Sequence, residues 1–502
     1  MNVDVAILGG GVAGLGVARR LRHLRPGLRI CVVDRGPLPA DRFRSKVGES
    51  ATESSSGWLA DTLGLRAHLD AEHVRKAGLR FWLTGGTSFG GRPEWGLLQP
   101  FSPAWSAPFD GTNPPTWQLH RGRLEHFLAA ELSESGVVLR GNAVCSVTRG
   151  APHALRFEGG ESWTATWLVD AAGGGLPAER VSLPHTGHGA WFWVPTSVDV
   201  DRFSDEPEFR GAVPRGTRWH STNHLVGDGR WLWIIRLGDG STSVGLVSDP
   251  KRYRPTSLDE TLALIALLEP ECAAAISDAG DPFGFAARGW TAFRRETLLD
   301  DDRVLAVGDA AAFLDPMYSS GLDLMVIAAE LGLPLLLADL EGQPTALQRR
   351  RTNSVFARIV EQYLGLYIGV FDVLGHPKAF SKKVEWDLAT YFGFLARVVR
   401  SGALSDGAAM AELAPYGARV AALQAAMGPA FVAAARRSGG EMMGRLDQGR
   451  LPVLGPLLER LRSPGVLVHD LAMSVAEIEA LCATMWPEVG VGPAPARGRV
   501  QR

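Results

Sequence analysis

Cysteine is scarce: the 502-residue chain has four, Cys31, Cys145, Cys272 and Cys482. They are too scattered for a zinc-ligand spacing and too few for a disulfide scaffold, so they read as reduced core residues of a cytoplasmic protein. An excess of charge of either sign is missing too, with 52 Lys plus Arg against 54 Asp plus Glu. A near-neutral chain gives no electrostatic ground for binding nucleic acid or an anionic membrane. The N-terminus lacks a basic and apolar leader ahead of a small-residue cleavage site, which argues against export. A long uninterrupted apolar run is absent as well. The most apolar stretch, 322–340, carries Asp323, Glu330 and Pro334. It reads as a buried helix with a break, so no stable membrane span is expected. His185 and His188 lack a third ligand at fitting spacing and read as loop residues, so no metal site is expected.

What is present is an ordinary globular composition, 46% hydrophobic and 21% charged, in a chain long enough for two or three domains. The apolar run Val5-Ala6-Ile7-Leu8 opens into Gly9-x-Gly11-x-x-Gly14. In a dinucleotide fingerprint Gly9 makes the tight turn, Gly11 lets the backbone approach a pyrophosphate, and Gly14 lets the next helix pack close to its strand. The first turn of that helix, with Val12 and Ala13, presents free N–H groups and a positive dipole end to phosphates. Residues 15–24 read as a helix and 28–33 as a second strand. Asp34 closes that strand where a carboxylate would accept from a ribose hydroxyl.

The rest of the chain reads as an α/β protein. Helical spacing runs from Thr52 to Leu69, and a Gly-, Pro- and Trp-rich passage from Gly85 to Pro115 shows little periodicity. Between Ala190 and Val247, aromatic and β-branched runs alternate with Gly-Asp-Gly turns, which predicts an antiparallel sheet. We expect a Rossmann-like dinucleotide-binding domain in two parts, 1–180 and 291–345. An inserted β-sheet substrate platform is expected at 181–290, and a helical C-terminal region at 346–502 with a frayed tail from Pro493. Arg349-Arg350-Arg351 reads as a solvated helix face, which could also dock an acidic carrier.

Several motifs, taken in order, resemble the FAD-binding framework of flavin monooxygenases: the glycine turn, Asp34, the stretch Arg44-Ser-Lys-Val-Gly48-Glu49-Ser50, Arg121, Asp170-Ala-Ala-Gly173 and Gly308-Asp309-Ala310. Phe313-x-x-Pro316-x-x-Ser319-Ser320-Gly321 narrows the resemblance to the flavin-dependent halogenases, whose Phe-x-x-Pro-x-x-Ser-x-Gly pattern it matches at every fixed position. Trp231-Leu-Trp233-Ile-Ile-Arg236 is similar to the family's Trp-x-Trp-x-Ile-Pro, with arginine in place of proline. A second candidate, Trp191-Phe192-Trp193-Val194-Pro195, is one residue short. Lys76-Ala-Gly78-Leu79-Arg80-Phe81 is similar to the Lys-x-Gly-x-x-Phe segment that carries the essential lysine in phenol and pyrrole halogenases, and a one-step slip would put Arg80 there instead.

The resemblance implies FAD, used as FADH2, held by Gly9, Gly11, Val12, Ala13, Gly14, Asp34, Arg44, Gly48, Glu49, Ser50, Arg121, Asp170, Gly173, Gly308, Asp309 and Pro316. It implies a chloride or bromide held by backbone N–H groups of Ser319, Ser320 and Gly321, and a flavin-side wall of Trp231, Trp233 and Phe313. A flavin hydroperoxide would oxidise halide to hypohalous acid, which Lys76 would guide to an electron-rich aromatic substrate, free or carrier-tethered. No second Gly-x-Gly-x-x-Gly marks a nicotinamide site, so a separate flavin reductase is expected. The alternative on the same scaffold is an FAD monooxygenase or dehydrogenase, and Arg236 is the residue that favours it.

Overall fold

The computed structural model describes residues 1–83, 88–98, 114–143, 145–173, 176–212, 216–437, 456–457, 460–461 and 467–489. The tail from Pro493 lies outside them, as does much of the Gly85 to Pro115 passage.

The first strand, Asn2–Leu8, lies inside a seven-stranded sheet with parallel neighbours Ile30–Val33 and Ser162–Asp170. Its side chains alternate between two cores: Val5 and Ile7 join the main cluster, and Ala6 and Leu8 join a second on the other face. Burial on both faces is why the strand reads as a continuous apolar run. Val138–Arg140 extends the sheet beyond Ile30–Val33, and Val304–Ala306 returns to pair with the end of Ser162–Asp170. The helix Val12–Leu24 leaves the first strand through the glycine turn.

A second sheet has eight strands in the order Ala312–Phe313, Phe283–Arg295, Arg180–Val194, Thr242–Ser248, Arg230–Arg236, Thr222–Gly227, Gly78–Trp82 and Glu94–Leu98. The platform is therefore not confined to 181–290. Two edge strands come from the segment assigned to the first nucleotide part, and one from the last. Hydrogen bonding joins strands that are neighbours in space, which sequence order does not reveal. Along Arg230–Arg236, Trp231, Trp233 and Ile235 face the main core, while Leu232 and Ile234 face a separate cluster under the helices Leu258–Leu268 and Pro270–Asp278.

Three local expectations change. Residues 52–69 form the short helix Glu53–Gly57, a wider turn over Trp58–Thr62 and a further helix, Arg66–Glu72. His185 and His188 lie in the long strand Arg180–Val194, not in a loop. The apolar helix Ser320–Leu340 runs unbroken through Pro334. A proline there leaves the Glu330 carbonyl without its helical donor, and the Ser405 hydroxyl supplies one at 3.2 Å. This helix and Gly407–Arg437 are long and apolar enough to cross a bilayer, but the first is mostly buried in the protein.

The C-terminal helices Ala346–Leu364, Pro377–Thr390, Gly407–Arg437 and Leu467–Val489 pack on one another and on the nucleotide domain. Tyr363, Tyr367, Phe380 and Trp386 are buried among them. At about 1.5–3 kcal/mol per large apolar side chain, such burial is what holds helices of unremarkable propensity in place.

Candidate active site

The glycine turn is as tight as its motif requires. A Cβ on Gly14 would lie 1.9 Å from the Gly9 carbonyl oxygen, so only glycine lets this helix meet its strand. Asp34 pins the turn: its Oδ2 accepts from the Gly10 N–H at 2.6 Å and its Oδ1 from the Gly36 N–H at 2.7 Å. Arg44 is exposed beside Gly36. One N–H of the helix start is already taken, because the Val12 N–H donates to Glu125 Oε1 at 3.1 Å. Glu125 in turn accepts from Arg121 at 2.6 Å and Lys46 at 3.2 Å. The phosphate-facing end of the turn therefore holds two cations and one carboxylate, with a net positive charge.

Asp309 lies within the field of the same cations. Its side chain is accessible to water, yet desolvation pushes its carboxyl above the usual range against the pull of Arg121, Arg288 and Lys46. Gly173 and Asp309 sit side by side there, and Gly308, at φ +60°, is in contact with Ala13. Asp170 is buried next to them, holding the Ala172 N–H and Arg295 at 3.3 Å each. The strand Phe283–Arg295 leaves Arg288 and Gly289 exposed in mid-sheet. These residues, a backbone cradle with a ribose-height carboxylate and cations at phosphate height, fit FAD.

Two of the expected cofactor ligands are engaged elsewhere. Glu49 is buried, with its carboxylate accepting from Trp193 Nε1 at 2.6 Å and Ser243 Oγ at 2.9 Å. Burial raises it to about 7. Trp193 belongs to the segment set aside as one residue short, yet it reaches this site. The Ser50 hydroxyl accepts from Lys76 at 2.8 Å and meets Thr222 at 3.0 Å, so it positions the lysine rather than the cofactor. Gly48, at φ +92°, gives its carbonyl to Arg121 at 3.2 Å.

Trp231 and Trp233 lie 5.7 Å apart between ring centres, both buried, with Trp233 packed over Gly245. Arg236 is on the opposite face of that strand. Its guanidinium meets His220 Nε2 at 2.7 Å and lies over the Trp219 ring. The departure from the family proline thus does not touch the tryptophan wall. Phe313 pairs with Phe293 at the sheet edge and packs edge-on to Trp290 at 5.7 Å.

The loop after Phe313 is fixed by Asp315, which bonds His185 Nε2 at 2.8 Å and the Met317 N–H at 3.0 Å. Pro316 is exposed, and its carbonyl accepts from the Ser319 N–H at 3.0 Å. Ser319, at φ +60°, therefore has no amide to offer a halide, which corrects the expected trio. The first-turn N–H groups of Ser320 and Gly321 remain, as at any helix start, and a Cβ on Gly321 would face open space. Ser320 Oγ bonds Tyr367 at 2.8 Å. Asp323, one turn in, is directed away from the loop toward Ser55 N–H (3.2 Å), Tyr363 (3.0 Å) and Thr52, and burial raises it to about 6.

Lys76 is buried, donating to Ser50 and to the Ala51 carbonyl at 3.1 Å. Burial lowers its pKa to about 8, because no carboxylate contacts it closely enough to offset desolvation. It lines a small cavity of about 30 Å³ with Thr52, Glu53, Tyr318, Tyr363, Asp387 and Tyr391 among its walls. Tyr318 comes from the loop after Phe313, so the lysine and that loop share this space. Arg80 lies on the other face of its strand, locked between Glu94 and Ser221. Sequence reasoning missed Glu53, Tyr363, Asp387 and Tyr391. The one signal for Asp387 is its i,i+4 spacing from Lys383, and on a helix that spacing reads as a solvated ion pair.

A family model described as tryptophan halogenase matches residues 97–366. The chain is 25% identical over 434 residues to the flavin-dependent halogenase chlA of Dictyostelium discoideum, covering 78% of this chain and 70% of that protein. It is 24% identical over 334 residues to a 1H-pyrrole-2-carbonyl (peptidyl-carrier protein) brominase of Pseudoalteromonas luteoviolacea, covering 64% and 73%. The fold is similar to that of halogenase PltM in complex with phloroglucinol and FAD, with a TM-score of 0.65 at 18% identity, over 95% of this chain and 96% of that one.

Proposed function

We infer the reaction from the premise that this chain belongs to the tryptophan halogenase family. It is a flavin-dependent halogenase, an oxidoreductase that uses FAD and halide to halogenate an aromatic substrate. When bound, the reduced flavin supplies, with dioxygen, the oxidising power that turns halide into hypohalous acid. Our own reading concerns which residues do the rest.

The Gly9 to Gly14 turn, Asp34, Arg121 and Asp309 would hold the cofactor, and the Ser320 and Gly321 amides would hold the halide. Lys76 receives the hypohalous acid. A neutral amine can hydrogen-bond it, or replace its hydroxyl to give a haloamine and water, then return the halogen to a ring carbon as that carbon loses its proton. Burial serves this step directly, since it keeps a substantial neutral fraction near pH 8. The observation that carries the reading is the shared cavity of Lys76 and Tyr318, which joins the lysine to the halide loop.

We further propose that a separate reductase delivers the reduced flavin and that the ring arrives free or on a carrier. The pyrrole brominase relative supports the carrier form, and exposed Arg350 and Arg351 offer an acidic carrier a cationic face. The test is to supply FADH2, oxygen and bromide with phenols, indoles and pyrroles, and to read bromine isotope patterns by mass spectrometry. Oxygenated products that form equally well without halide would overturn the reading.

A further inference from the structure

The loop between Phe313 and the helix Ser320–Leu340 contains one backbone conformation that has to be held in place. Ser319 has φ +60°, in the left-handed region. A non-glycine residue is uncommon there and keeps that conformation only where its surroundings enforce it. Its two chain neighbours supply the enforcement. The Tyr318 hydroxyl donates to Asp387 Oδ2 at 2.8 Å, and Ser320 Oγ accepts from the Tyr367 hydroxyl at 2.8 Å.

Both bonds lead to one place in the C-terminal region. Lys383 donates to the same Asp387 oxygen at 2.6 Å and to the Leu366 carbonyl at 2.6 Å, and Leu366 is the chain neighbour of Tyr367. The hydrogen bonds therefore close a circuit that runs from the loop through Asp387, Lys383, Leu366 and Tyr367 and back to the loop. Every residue in it, Tyr318 and Ser320 included, is buried. Burial strengthens such bonds, since no water competes and the local dielectric is low. Tyr367 also reaches the start of the loop. Its ring stacks against His185 at 5.9 Å between centres, and His185 Nε2 bonds Asp315 at 2.8 Å. Phe371 stacks on the same imidazole at 5.5 Å.

We propose that Tyr367 is a positioning residue of the halide site: by bonding Ser320 Oγ, it fixes the helix start whose Ser320 and Gly321 amides receive the halide. This rests on the halogenase reading above. The hydroxyl is engaged by Ser320, so Tyr367 acts on the halide through that serine. Amides hold an anion well when they already point at one spot before it arrives, because ordering them on binding subtracts from affinity. A backbone that relaxes around Ser319 would spread the two amides and weaken the site. Tyr367 is not part of the wall around Lys76, so its effect should fall on halide binding and not on halogen transfer.

The experiment measures bromide affinity in the FAD-loaded enzyme at constant ionic strength, as Kd from the bound-flavin spectrum and as KM in turnover with FADH2, oxygen and a phenol. Tyr367→Phe keeps the ring against His185 and removes only the hydroxyl. Ser320→Ala keeps the backbone amide and removes the acceptor. Each should raise bromide Kd and KM by about three- to tenfold, the equivalent of one lost hydrogen bond, while kcat at saturating bromide stays within about twofold. Because the two hydroxyls act through one bond, the double variant should bind bromide no more weakly than the weaker single variant. A residue that merely supports the fold would lower kcat and FAD content and leave bromide affinity as in the wild type, which would overturn the proposal. So would effects that add in the double variant. Failure of the underlying reading looks different: the wild type would then show neither saturable bromide binding nor brominated product, and the proposal falls with it.

Discussion

The two sides of this active site are built on different principles. The cofactor side, contributed by the first sheet and the glycine turn, works mainly through backbone: Gly14 packs against the Gly9 carbonyl, Gly308 adopts φ +60°, and the buried Arg121 and Glu125 hold one another beside the turn. The substrate side, shared between the second sheet and the C-terminal helices, works through buried side chains. Lys76 is lowered to about 8, and Asp323 and Asp387 are raised to about 6, each chiefly by desolvation. The cofactor side recognises a large, constant ligand by shape. The substrate side tunes a few groups by excluding water, and its shifted pKa values suit chemistry near neutral pH.

The strongest way to separate the two sides is Lys76→Ala. Halogenation should fall by about 10²–10⁴-fold, the range for loss of a proton-transfer or nucleophilic group, with flavin absorbance retained and oxygen still consumed. Loss of flavin together with activity would show that the two sides are not separable. Gly14→Ala attacks the other side. Its methyl group would overlap the Gly9 carbonyl, which should lower stability by about 1–3 kcal/mol and release FAD, read as a drop in melting temperature and in the protein-bound flavin spectrum.

A third prediction uses pH. Since desolvation lowers Lys76 to about 8, its neutral fraction grows as pH rises through 8, and single-turnover halogen transfer should rise over the same interval. The folded protein releases this proton near pH 8, whereas the unfolded chain keeps it up to the ordinary lysine value of 10.5. The lysine therefore makes stability increase with pH across that window. A flat rate profile from pH 7 to 9 would remove the neutral amine from the step. The smallest expected effect is Arg236→Ala. That side chain lies across the sheet from Trp231 and Trp233, so bromination should change by less than about twofold, while loss of the Trp219 contact costs about 0.5–1 kcal/mol. A switch from halogenated to oxygenated product would show that Arg236 reaches the flavin side after all.

How much of this was legible follows the same division. The backbone demands at Gly9 and Gly14 could be read directly because each is a local requirement, satisfied within a few residues of chain. Ser50 and Ser319 were misread for a local reason too. The motif shows the residue type, but whether the Ser50 hydroxyl turns to Lys76 or the Ser319 amide closes a turn on Pro316 depends on neighbours the motif does not contain. Trp193 was set aside for its spacing, although a bond to Glu49 across the fold brings it into the site.

Asp387 shows the limit most clearly. On paper Lys383 and Asp387 are an ordinary i,i+4 pair that any solvated helix could carry. Packing of the C-terminal helices on the nucleotide domain removes the water, and the pair becomes a buried, anchored carboxylate. The sequence alone determined the backbone of the cofactor site, because glycine geometry and strand-to-turn spacing are short-range constraints. Only the tertiary structure decided the substrate side, because burial, and with it the protonation and pairing of Lys76, Asp323 and Asp387, arises when segments some 300 residues apart exclude solvent together.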